Sequence, residues 1–237
     1  MKLKSLKGYF SKFEIALWGI SVSLIIISFS IFDRRNYITL AASLIGATSL
    51  IFNAKGNPIG QALIIVFGVL YGIVSYTFEY YGEMITYLGM TAPMAIIALI
   101  AWLKNPYKGN RAEVKVNRLK YKEIIFMAVL TVAVTVAFYF ILQHFNTANL
   151  LPSTLSVTTS FIAVYLTFRR SPYFAIAYAT NDIVLIVLWI LATVTDITYL
   201  SVTICFIVFL VNDIYSFTNW LKMRKRQNQE EKQCSEK

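Results

Sequence analysis

Two dipeptides, Asn181–Asp182 and Asn212–Asp213, set a carboxylate behind a carboxamide deep inside long apolar runs. At such a depth a carboxylate costs at least a few kcal/mol, so it normally faces a cavity or a partner. Three kinds of chemistry suit the pair. Acids and carboxamides bind the cations and hydroxyls of a solute. They also pair across helices as structural glue. Two aspartates at close range can share a proton, which would make the chain an intramembrane aspartyl enzyme using Asp182 and Asp213. The neighbours of Asp182 favour the first. Phe174, Tyr178, Asn181, Asp182, Leu185 and Trp189 follow at steps of four, three, one, three and four, which puts them on one helical stripe. Asp182 sits roughly 15 Å along that helix, near its middle. Flat polar rings stack on aromatic faces, and Asn or Asp fixes hydroxyls. A cationic solute would be drawn by the rings and by the acid.

Weaker candidates surround this core. Gln61, Gly68, Tyr71, Gly72 and Ser75 lie in an earlier apolar run that has no acid. Gly68 and Gly72 permit close helix approach, while Tyr71 and Gln61 are long enough to reach a cavity. Tyr87 and Tyr199 hold equal places in a repeated motif described below. Metalloenzyme, hydrolase and nucleotide-loop motifs are missing, and no cofactor or metal is expected. Cys205 and Cys234 have no metal-ligand spacing and no reason to pair. His144, beside Gln143, reads as a solvated loop residue.

The elements that must position these side chains are transmembrane helices. The chain is 57% hydrophobic and 14% charged, with a mean hydropathy of +0.61, which excludes an ordinary soluble domain. Eight apolar segments cover 13–32, 37–54, 59–78, 84–103, 124–142, 153–168, 172–194 and 197–221, each near the length that spans a bilayer. Helices satisfy their own backbone in lipid; membrane strands would be shorter and would alternate in polarity. Lysines at the N-terminus are not followed by a signal-peptide pattern, so that segment is expected to be retained.

With the N-terminus inside, every Lys and Arg except Arg34 and Arg35 falls on one side. That side receives Lys2, Lys4, Lys7, Lys12, Lys55, the loop after Leu103, Arg169, Arg170 and the tail from Lys222, while Glu79, Glu83 and Asp196 fall in loops on the other. The bias predicts cytoplasmic termini in a cell membrane. The net charge of +10 is then a topology signal and a contact with lipid headgroups, not a sign of nucleic acid.

Ile85–Thr91 (ITYLGMT) and Ile197–Thr203 (ITYLSVT) agree at five of seven positions, 112 residues apart. Pro58 and Pro172 open helices 114 residues apart, each after a basic loop, and Trp102–Lys104 and Trp220–Lys222 close the two halves. The expected fold is an all-α membrane protein of about eight helices: an extra N-terminal helix (1–36), a first three-helix repeat (37–103), a basic loop, linker helix and outer loop (104–152), a second repeat (153–221) and a basic tail (222–237). Two units of equal orientation need one further crossing between them, and 124–142 supplies it. Parallel repeats of this kind occur in carriers, with the substrate at their interface. Pro93 should kink its helix. The loop 104–123 and the tail read as solvated connectors.

The stretch Tyr71 to Tyr81–Gly82–Glu83, followed by Pro93–Met94 and Trp102, resembles the first half of the PnuC family of nicotinamide riboside transporters. RRSPYFAIAYATNDIVLIVLW resembles that family's helix after its second basic loop. The resemblance covers roughly 37–221. It implies a three-plus-one-plus-three bundle related to the SWEET sugar transporters, and uptake of nicotinamide riboside by facilitated diffusion. It also implies trapping by a cytoplasmic kinase, a functional partner. Many members carry tryptophans in the helix that here has Phe174, Ala175 and Tyr178. Relatives of the fold carry thiamine or riboflavin, so another vitamin or a small sugar stands as the alternative substrate. The sequence is also open to a homo-oligomer.

Overall fold

The computed structural model describes residues 8–77, 80–147 and 149–235. Lys2, Lys4, Lys7 and Glu79 of the charge argument lie outside the described residues. Among the described residues, eight helices are long and apolar enough to cross a bilayer. They are α1 (Lys12–Phe32), α2 (Tyr37–Ala54), α3 (Pro58–Thr77), α4 (Tyr81–Lys104), α5 (Tyr121–His144), α6 (Leu150–Phe168), α7 (Phe174–Thr193) and α8 (Leu200–Ser235). A 3-10 turn, Ile197–Tyr199, leads into α8.

Their packing closes a ring. α2 lies on α3, α3 on α4, α4 on α6, α6 on α7, α7 on α8, and α8 returns to α2. α5, which joins the two triplets, lies outside the ring against α6, and α1 lies outside against α2 and α8. The fold is therefore an N-terminal helix plus a three-plus-one-plus-three bundle. α5 buries only Thr131 and Leu142 among its side chains, as expected of a helix surrounded by lipid tails. α1 is anchored at its start: Ser11 and Glu14 form a capping box. Glu14 also receives Lys55 Nζ at 3.1 Å and Tyr215 Oη at 2.9 Å.

Two expectations are corrected. Glu83 is not in a loop: α4 begins at Tyr81, and Glu83 is 1% exposed. Gly82 lets this turn press against Thr147 and Leu142, which would lie 2.7 and 2.9 Å from an added Cβ. Nor are the basic loop and tail free connectors. Strands β1 (Pro106–Tyr107) and β2 (Asn110–Val114) pair antiparallel, and α8 runs on past the apolar region to hold them. Gln227 accepts from Val116 N at 2.9 Å and donates to Glu113 and Val114. Arg226 pairs with Glu113, and Lys108 with Glu230 at 2.6 Å. The same loop bonds both short basic turns, through Val114 N to Gly56 O and Asn117 N to Arg170 O. A run of polar residues reads as solvent-facing until a partner surface gives it bonds.

Just before Pro93, where a bend is expected, lies a π-helical segment, Tyr87–Thr91. Proline has no N–H to continue the ladder, and the wider turn removes the clash with the preceding carbonyls.

α2 and α3 meet closely at Gly60. A Cβ there would lie 2.2 Å from Asn53 Oδ1 and 2.7 Å from Asn53 N. The second contact is backbone and cannot swing aside. Gly60→Ala should destabilise the protein by about 1–3 kcal/mol, seen as a lower unfolding midpoint in detergent and loss of the Gln61–Asn53 hydrogen bond (2.8 Å).

Candidate functional site

The ring surrounds a narrow chamber of about 40 Å³. All six ring helices line it: Gly46, Ser49, Leu50 and Asn53 from α2; Ile64 and Phe67 from α3; Tyr87 and Thr91 from α4; Ser160 from α6; Phe174, Tyr178, Asn181 and Asp182 from α7; Phe206, Phe209 and Asp213 from α8. Because α4 meets α6 and α8 meets α2, the chamber sits on both seams between the triplets.

Asp182 and Asp213, on different helices and 31 residues apart in sequence, meet in its wall with their carboxyl groups within hydrogen-bonding reach of each other. Both are nearly fully buried, and among the described residues no donor reaches Asp182 Oδ2 or Asp213 Oδ1. Asn181 is held from the α6 side. Its Oδ1 accepts from Thr159 Oγ1 at 2.8 Å and Ser160 Oγ at 3.0 Å, with Ser156 Oγ at 3.5 Å. The bonds to its side chain from described residues all go to Oδ1, and Asn181 lines the chamber. The Tyr178 hydroxyl lies near the Thr167 side chain. The lining thus offers two acids, a fixed carboxamide and ring faces, and among the described residues no lysine, arginine or histidine.

Aromatic clusters lie toward both ends. At the end that carries Lys55, Arg169 and Lys222, here the basic end, Phe174 rests on Trp220 (ring centroids 4.9 Å) and near Trp102 (6.4 Å), and the two indoles lie 5.5 Å apart. Trp102 of the first triplet donates to Thr167 O at the end of α6 (2.9 Å), and Trp220 of the second donates to Asn53 O at the end of α2 (2.8 Å). At the far end Trp189 Nε1 donates to Tyr71 Oη at 2.7 Å. Tyr71 stacks near Tyr87 (4.4 Å), and Trp189 lies between Tyr80 (4.9 Å) and Tyr199 (5.7 Å).

Of the residues singled out from sequence, Tyr87, Tyr178, Asn181, Asp182 and Asp213 meet at the chamber. Tyr71, Trp189 and Tyr199 form its far-end cover rather than its wall. Gln61 bonds Asn53 from behind. Asn212 points away, donating to Ser21 Oγ on α1 at 2.9 Å and to Val208 O at 2.8 Å; adjacent helical residues diverge by about 100°. The hydroxyl stripe Ser156, Thr159 and Ser160 escaped the sequence reading, although its three-and-four spacing marks one helical face. Asn53, Ser49 and Thr91 carried no comparable signal.

A ring of membrane helices around a buried polar chamber, with aromatic clusters toward both ends, is the architecture of a small-molecule carrier. The chain belongs to the nicotinamide mononucleotide transporter family, whose model matches residues 36–222. It is 27% identical over 228 residues to the nicotinamide riboside transporter PnuC of Neisseria mucosa, covering 94% of this chain and 86% of the relative. It also resembles the crystal structure of the vitamin B3 transporter PnuC, with TM-score 0.81 and 25% identity over 93% of this chain and 95% of that one. Family membership corrects the link to SWEET sugar transporters, since these matches are to vitamin B3 carriers. It also removes the aspartyl-enzyme alternative, because the family is one of transporters.

Proposed function

We propose that this protein carries nicotinamide riboside across the cell membrane by facilitated diffusion, and that Tyr178, Asn181, Asp182, Asp213 and Tyr87 hold the solute. The observation that carries this reading is a chamber lined by two acids and no base. The riboside is a cationic ring on a neutral sugar, so the acids and ring faces attract it, and Asn181 Nδ2 can donate to a sugar oxygen. The mononucleotide adds a phosphate, whose charge would meet both carboxylates in a medium of low dielectric. Riboside is therefore favoured over mononucleotide. Phosphorylation by a cytoplasmic kinase would make the solute one this site rejects, which supports trapping as the means of accumulation.

Ligand pockets for such molecules run to about 300 Å³ or more, so the ring must widen to admit one. The triplets 37–103 and 153–221 rocking about their two seams would open each end in turn. Concentration of basic residues at one end supports cytoplasmic termini. In proteoliposomes, labelled nicotinamide riboside should enter and leave down its gradient without chemical change. Unlabelled mononucleotide should compete at least about 100-fold more weakly, a difference of about 2.7 kcal/mol. Equal competition by the two would refute the preference argued from the acids. Thiamine or riboflavin competing better than the riboside would move the reading to another vitamin.

A further inference from the structure

The mechanism above leaves one buried acid without work. Glu83 stands one helical turn before Tyr87 on α4, on the far side of the chamber. Only 1% of it is exposed, and among the described residues neither oxygen makes a hydrogen bond of ordinary geometry; the Ser156 hydroxyl of α6 is the polar group beside it. A buried carboxyl with so few donors costs several kcal/mol, and within a membrane protein such a group marks a pathway more often than a scaffold. Its surroundings favour a visiting cation. The phenols of Tyr71, Tyr80 and Tyr87 are near enough to feel its charge, and phenol faces add to the pull of an acid on a positive ring. Its position favours transit. It lies at the α4–α6 seam, which must part when the far end opens, and the π segment Tyr87–Thr91 separates its short helical stretch from the rest of α4. π segments and helix breaks of this kind recur where helices bend for function.

We propose that Glu83 is a specificity-determining way station: it receives the cationic ring of the solute behind the far-end aromatic cover and passes it to Asp182 and Asp213. This rests on the riboside reading above. It adds that the transporter selects for positive charge twice, once on the route and once in the chamber.

The test uses proteoliposomes and two forms of one solute: nicotinamide riboside, and its reduced dihydropyridine form, which has the same outline without the charge. Each is measured as an inhibitor of labelled riboside uptake. In Glu83→Gln, which keeps shape and hydrogen bonding, the preference for the cation over the neutral form should shrink about tenfold. Glu83→Asp should keep that preference, because the charge remains. A structural role would weaken both inhibitors equally and leave their ratio as in the unaltered protein; that result overturns the proposal. If Glu83→Gln does not yield monodisperse protein, Glu83→Met, which removes the charge and keeps the length, carries the test, and an unchanged ratio there overturns the proposal equally. An unaltered protein that carries no riboside at all would fail the functional reading itself and the way station with it. Uptake by the unaltered protein with an unchanged ratio in the Gln variant fails the way station alone.

Discussion

Asp182→Asn should cut nicotinamide riboside uptake roughly 10- to 100-fold while the protein inserts and folds as before. The size follows from losing one charge-assisted contact to the solute, about 1.5–3 kcal/mol. The sign of the stability effect separates binding from scaffold. Asp182 faces Asp213 with no cation between them among the described residues. Two acids buried against each other are a burden on the fold, so removing one charge should leave the unfolding midpoint unchanged or raise it. Proteins commonly hold such strain at the sites where they work. Uptake in proteoliposomes and thermal unfolding in detergent, measured on the same preparation, check both halves. Normal uptake by well-folded Asp182→Asn would take the residue out of the site. Reduced uptake with a lowered midpoint would make the pair structural.

The second large effect belongs to the basic-end closure. Trp102→Ala and Trp220→Ala should each destabilise the protein by about 3–5 kcal/mol. Both indoles are fully buried, pack on each other, and bond the end of a helix in the opposite triplet. The two variants should have similar effects, because the two residues hold matching places in the two halves. Trp→Phe should cost less, about 1 kcal/mol for the lost N–H bond plus imperfect packing. The contacts also join the triplets at the basic end, which must part for a solute to pass. Loosening them should make a cysteine placed at Ser160 react faster with a membrane-impermeant thiol reagent added from the basic side. Unchanged reactivity in folded Trp→Phe variants would show that the closure does not depend on these bonds.

How far the sequence led can be read from particular residues. The eight helices were visible because lipid demands long apolar runs. α2 was delimited to the residue and most others to within a few residues. α8 was cut short at 221 because its apolar character ends there. Its remaining turns are helical for another reason: they grip the hairpin through Gln227, Arg226 and Glu230. Asp182 was found by its cost in an apolar setting. That Asp213 would face it could not be read, because closure of α8 onto α2 and α7 is a tertiary fact with no periodic trace in one helix. Asn212 misled for the opposite reason: adjacency in sequence suggested shared purpose, and helical geometry turned it toward α1. Glu83 looked like loop because an acid at the end of an apolar run usually is; what buries it is the close approach allowed by Gly82.

The claim on which the rest depends is that the solute binds between the two triplets, against Asn181, Asp182 and Asp213. The structure of the protein determined in the presence of nicotinamide riboside tests it most directly. The account predicts density for one riboside inside a widened ring, with the pyridinium beside the two carboxyl groups and a sugar oxygen within hydrogen-bonding distance of Asn181 Nδ2. Density seated outside the ring, for example between α1 and α2 or under the hairpin, with the chamber as narrow as it is here, would contradict it.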